Sequence, residues 1–160
     1  MTMNLQNVDH ADLRHLLGNM TFNSGVLAID ANSENVQTTA TIEFSVKGIH
    51  YTKAAVAEID VSTLTGLSST ALADGKTQIF GLELVSGGTI SVVYGEQKAT
   101  ADITAGTQVA DWPVASDDLS TIFGAVKVVN ASGADFVFGT TGLDASGITD
   151  TYYNICRSSL

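Results

Sequence analysis

Two stretches of the chain are variants of one another, and both spell a β-hairpin. Ile79 to Gly95 reads I-F-G-L-E-L-V-S-G-G-T-I-S-V-V-Y-G, and Ile122 to Gly139 reads I-F-G-A-V-K-V-V-N-A-S-G-A-D-F-V-F-G. Each opens on Ile-Phe-Gly, continues as a short apolar run, breaks at a Ser-Gly turn and closes on an aromatic-Gly pair, Tyr94-Gly95 or Phe138-Gly139. The offset is 43 at the first residue (79 to 122) and 44 at the last (95 to 139), so one residue has been added between the copies. Two runs of strand length, rich in β-branched and aromatic residues and separated by turn residues, predict a hairpin in each copy. A chain built from hairpins is committed to antiparallel sheets.

The remaining text agrees with that commitment. Gly25 to Ile29 is an apolar run stopped by Asp30-Ala31-Asn32-Ser33. Thr41 to Val46 alternates polar and apolar, and Lys47-Gly48 turns it into Ile49 to Lys53, which sets Ile42, Phe44 and Val46 on one face. Glu58 and Asp60 alternate with Ile59 and Val61, and Ile148 to Ile155 reads as a closing strand. A helical turn is predicted near Thr70 to Ala73, and a strand at Ala101 to Ile103 inside the link that joins the two repeats. Eight or more short strands with turn signals between them predict an all-β fold: an antiparallel, jelly-roll-like β-sandwich over residues 21–160. With 160 residues, the chain has enough surface to bury roughly 68–70% of it on folding, without disulfide or metal.

Residues 1–20 differ. Asn7 to Gly18 carries capping residues and acids at its start, Arg14 and His15 near its end and a closing glycine, the signature of a helix of two to three turns. Leu13, Leu16 and Leu17 recur at i, i+3 and i+4, so the helix has one apolar stripe, and a helix this short needs a partner to persist. The segment is predicted to be an arm that docks on its own sheet or on another subunit.

Charge and composition exclude several roles. A net charge of −10, with seven basic residues scattered singly, opposes binding to a phosphate backbone, which depends on clustered Lys and Arg. No run approaches the roughly 18 apolar residues of a membrane span, and the N-terminus lacks a basic lead and an apolar core of a signal peptide. The single cysteine, Cys156, cannot form an internal disulfide and is expected to be buried and inert.

No catalytic, cofactor or metal constellation is expected. His10 and His15 are five apart and miss the i, i+4 spacing of a helical metal pair, while His50 stands alone on a strand. There is no G-x-S-x-G elbow. Asp30 to Asn35 begins like a calcium loop but has Asn35 at its sixth position and Thr41 at its twelfth, so an Asx-type turn is favoured. Asp117-Asp118, and Asp144 with Asp150, read as acidic turns in preference to a weak calcium site. Ser86-Gly87-Gly88 and Ser132-Gly133 join strand to strand and so do not cradle phosphate. Trp112, beside Pro113, is read as a loop anchor with a buried ring in preference to a sugar-stacking platform.

The segment Phe138 to Ile148, F-G-T-T-G-L-D-A-S-G-I, with Gly124 to Val128, Tyr152-Tyr153-Asn154, Phe44 to Ala55 and Val85 to Val92, resembles the capsid decoration (cement) proteins of tailed bacteriophages. The likeness covers residues 41–154 loosely. Where such proteins usually carry a proline-rich link, this chain has Asp111 to Asp118 with one proline. The resemblance implies a non-enzymatic virion component on the capsid surface, synthesised in the host cytoplasm. It would bridge neighbouring major capsid proteins, self-associate as a homotrimer, and bind neither nucleic acid nor membrane. The expected interaction residues are Leu13, Leu16, Leu17 and Trp112. The alternative is a carbohydrate-binding or adhesin-type virion module that uses Trp112 with Asp111 and Asp117. A third reading, a small hydrolase, requires His50 to meet a carboxylate and a hydroxyl.

Overall fold

The computed structural model describes residues 18–67 and 71–156. The predicted helix of the arm, with Leu13, Leu16 and Leu17, lies outside them. The described residues form an all-β sandwich-like body of antiparallel sheets with almost no helix.

The large sheet is built from both repeats. Its strands are β6 (Lys76–Val85), β7 (Ile90–Tyr94), β9 (Ser120–Asn130) and β10 (Ile148–Asn154), in the order β10-β9-β6-β7, with the short β8 (Lys98–Ala99) beside the start of β6. Opposite lies a three-stranded sheet, β1 (Met20–Thr21), β4 (Ile42–Val46) and β5 (Ile49–Lys53), in the order β1-β4-β5. A two-stranded ladder of β2 (Leu27–Ile29) and β3 (Val36–Thr38) completes this layer. Between the layers, Phe80, Leu82 and Leu84 of β6 and Phe123, Val126 and Val128 of β9 share one buried core with Ile42, Phe44 and Val46 of β4. The predicted inward face of β4 is therefore observed. Its turn has φ of 50° at Lys47 and 71° at Gly48, the mirror-image conformation that suits the twist of a two-residue hairpin.

The first repeat is the predicted hairpin, β6–β7, with Leu82 opposite Val92 and Gly81 opposite Val93. The second copy is not a hairpin. Only its first half is a strand, β9, and its partner on the far side is β10, paired from Ile148 with Asn130 to Asn154 with Gly124. The buried amide of Asn130 explains the departure: it donates to the carbonyls of Leu72 (2.9 Å) and Ala134 (2.8 Å) and accepts from the Ser132 amide and hydroxyl. This steers the chain off the ladder, so that Phe136 bridges Leu72 while Phe136 and Phe138 join Phe80 in an aromatic cluster.

The two Ile-Phe-Gly halves instead pair with each other. Gly81 faces Ala125 and Leu82 faces Gly124, after which a bulge at Phe123 sets Glu83 opposite Ile122. Each repeat glycine clears space on a different face: a Cβ on Gly81 would meet Pro113 at 2.8 Å, and one on Gly124 would meet Leu27 at 3.1 Å.

Two further expectations fail. Ala101 to Ile103 lies in a short helix, α1 (Thr100–Thr104), because Ala105 donates to Ala101, the Thr104 hydroxyl donates to Thr100, and Gly106 at φ 73° ends the turn. Within the predicted helical turn near Thr70 to Ala73, Leu72 is in a β-bridge.

Candidate functional site: a strap pinned across the large sheet

Every residue from Thr77 to Leu84 is buried, including those whose side chains point away from the core. A strand buried on both faces needs a second cover. Here the cover is the link after α1, residues 105–119, which crosses the outer face of the sheet without joining it.

Four residues hold this strap: Asp111, Trp112, Pro113 and Ser116. The Asp111 carbonyl lies so close to Gly95 that a Cβ there would clash with it, and the Asp111 carboxylate accepts the Glu96 amide at 2.8 Å. Pro113 packs on Gly81, and Trp112 meets Tyr153 of β10 edge-on with centroids 5.0 Å apart. The last contact is polar. Glu83, 2% exposed, accepts hydrogen bonds from the Ser116 amide (2.9 Å), the Ser116 hydroxyl (2.6 Å), Ser91 (2.9 Å) and Ser120 (2.8 Å). Burial alone raises its pKa. The bonds from Ser116 side chain and backbone, then Ser120 and Ser91, outweigh burial and leave it below its ordinary value of 4.5. Glu83 is therefore an ionised clasp fastening the strap to β6 and β7.

Several of the strap's outward side chains are large and apolar. Val109 and Val114 are each 82% exposed and Trp112 is 49% exposed, so the expectation of a buried Trp112 ring is wrong. Pro113 takes the buried position, and its two neighbours are exposed. Exposed acids flank them: Asp111, Glu96, Asp117 and Asp118.

The other predicted positions fall elsewhere. His50 is exposed on β5, with Phe22 at 5.6 Å and Glu43 at 3.9 Å, too far for a hydrogen bond. Cys156 is exposed, against expectation, because the chain has left the ladder after Asn154. Asp30 to Asn35 forms the expected turn, with the Glu34 amide directed at the Asn32 side chain and the Asn35 amide bonded to the Asn32 carbonyl. Among the described residues, no three His, Cys, Asp or Glu gather as a metal ion would require, and no helix is long and apolar enough to cross a membrane.

Two grooves flank the hairpin β6–β7. One, of about 450 Å³, is lined by Lys53, Glu58, Asp60 and the Gly87-Gly88 turn. Its carboxylates are already used, Glu58 by the Asn35 amide and Asp60 by the Ser62 backbone and hydroxyl. The other, of about 310 Å³, runs beside the clasp between Thr65, Thr89 and Ser116. The Phe138 to Ile148 segment serves packing. Phe138 and Leu143 are buried, Gly139 sits against the turn Val61–Thr63, and the Leu143 amide donates to Ser33.

Compared with known proteins, the chain matches no family model, no curated protein and no solved structure.

Proposed function

We propose that the protein is a structural, non-enzymatic virion component: a decoration protein that sits on a phage head and bridges neighbouring major capsid proteins. The observation that carries the reading is the open edge of β10. Over Ile148 to Asn154 the strand has β9 as its only ladder partner among the described residues; it contains one charged residue, Asp150, but neither lysine nor proline, and only its Asn154 end is met by Leu27 of β2. Long edges of this kind are templates for another strand and are normally blunted by such residues. Closed self-association, as a homotrimer in the reading that the resemblance suggests, covers such edges. The body's chemistry fits: its buried carboxylate is consumed in a clasp, and its exposed surface is acidic and apolar. The residues ahead of Asn19, which is itself bonded to Asp118, Ser120 and Lys47 of the body, would reach to a neighbouring copy or to the shell.

Light scattering tests the assembly. The wild type is expected at the mass of three chains, and the edge variant T149K/T151K, altered at two exposed positions of β10, at that of one. A wild-type monomer would overturn the trimer.

A second reading, a carbohydrate-binding or adhesin-type virion module, is favoured by the exposed Trp112. Its proposed clamp is weak. Asp111 is bonded to the Glu96 amide, and Asp117 accepts the Leu119 amide at 2.8 Å. Unchanged Trp112 fluorescence across a glycan panel would remove this reading.

A further inference from the structure

The strap is unusual in combining firm anchoring with an apolar outer side. Loops that expose valine and tryptophan are ordinarily mobile or fold their apolar residues inward. Here the inward positions are already taken by Pro113 on Gly81, the Asp111 carbonyl on Gly95 and Ser116 on Glu83. Val109 and Val114, at 82% exposure, therefore add little to the protein's own core, yet Val114 lies between the anchored Pro113 and Ser116, and Val109 two residues before the anchored Asp111. A preorganised surface loses less entropy on association, which is the property a docking site needs. Trp112, supported edge-on by Tyr153, is the type of residue that anchors interfaces.

We propose that the outer side of the strap, centred on Val109, Trp112 and Val114, is the surface by which the protein docks on the shell subunit. The matching surface on that subunit is an apolar recess rimmed by Lys and Arg. The inference rests on the decoration-protein reading and names its contact surface.

Charge selects this occupant over a second copy. The exposed acids Asp111, Glu96, Asp117 and Asp118 surround the patch, and of the nearby bases Lys98 is paired with Glu96 at 2.7 Å and Lys47 with Asp118 at 3.1 Å. The rim keeps an acidic excess, on a chain whose net charge is −10. Two such patches placed face to face would set acid against acid around a dry centre, which opposes self-pairing. A basic rim on the partner removes that repulsion and makes binding dependent on salt.

The test uses the full chain and purified shells assembled without it, with binding followed by co-sedimentation at increasing salt. The patch variant V109S/W112A/V114S is first checked to be folded by a cooperative urea transition, and T149K/T151K serves as a control at the sheet edge. The expected result is binding by the wild type that weakens several-fold as salt rises through roughly 0.5 M, where screening is nearly complete, and at least a tenfold loss for the patch variant. Equal binding by a folded patch variant overturns the patch and leaves the decoration-protein reading standing. No binding by the wild type overturns both. A patch variant that lowers the mass in solution identifies a second copy as the occupant and overturns the proposed partner.

Discussion

Replacing Glu83 by alanine should unfasten the strap, and its effect can be worked out from the bonds it breaks. Four donors converge on the carboxylate: two hydroxyls on Oε1, and one hydroxyl and one backbone amide on Oε2. At roughly 1.5–3 kcal/mol for each hydrogen bond to a charged group, simple addition would approach ten. That sum is too large, because the bonds share one group and the exposed Ser116 regains water once released. Alanine leaves no charge behind, only neutral serine groups that have lost their acceptor, so a loss of about 3 kcal/mol is expected. In urea, with a slope on the order of 2 kcal/mol per molar, the midpoint should fall by about 1.5 M.

Glu83→Gln separates charge from shape. Its carbonyl can keep the Ser116 amide and Ser120 while its NH2 donates to the Ser91 and Ser116 hydroxyls, so we expect a loss of only about 1–2 kcal/mol. The pH dependence has a definite sign. A carboxylate whose pKa is lower in the folded state than in the unfolded chain adds stability above the unfolded value, near 4.5, and this is lost as pH falls through the folded value. The difference between wild type and Glu83→Gln should therefore be constant above about pH 5 and shrink in more acidic solution. Trp112 fluorescence reports the strap directly. Alanine and glutamine variants that both unfold within about 0.5 kcal/mol of wild type would refute the clasp.

Other positions give independent checks. Gly95→Ala drives a methyl group into the Asp111 carbonyl and should cost about 2 kcal/mol by urea unfolding, since backbone must move. Asn130→Ala removes two side-chain hydrogen bonds, to the carbonyls of Leu72 and Ala134, each of which keeps one other donor, together with the acceptor of Ser132, and should cost about 2–3 kcal/mol, measured the same way. Exposed Cys156 should react with a thiol reagent in the native protein as one equivalent, without waiting for unfolding. A reaction that requires denaturant would contradict that placement.

The sequence made some of this architecture legible and hid the rest for identifiable reasons. The hairpin β4–β5 could be read because alternation over Ile42, Phe44 and Val46 and the Lys47-Gly48 turn agree. The β6–β7 hairpin could be read from Ser86-Gly87-Gly88, where both glycines have positive φ. The second repeat carried the same local signals. Its fate was decided by Asn130, whose side chain binds Leu72, 58 positions earlier in the chain, and local pattern cannot show such a bond. The strand expected at Ala101 to Ile103 spanned too few residues to outweigh the signal of Ala105-Gly106 as a helix end.

The strap itself was read only as a link, because periodicity reports one buried face and β6 has two. A clue was present: Glu83 is the one charged residue in the apolar run Ile79 to Val85, and Gly81 offers a flat place for Pro113. Which serines would satisfy that carboxylate was not legible, since Ser91, Ser116 and Ser120 come from three separate segments. The exposure of Trp112 was misjudged for a related reason: Pro113, its neighbour, fills the inward position.

The central claim is that this protein works by occupying defined positions on an ordered protein surface. Electron cryo-microscopy of shells incubated with an excess of the full chain tests it most directly. The account predicts added density at equivalent lattice positions, with the strap side against the shell. Shells that stay bare, with the protein left free in solution, would contradict it.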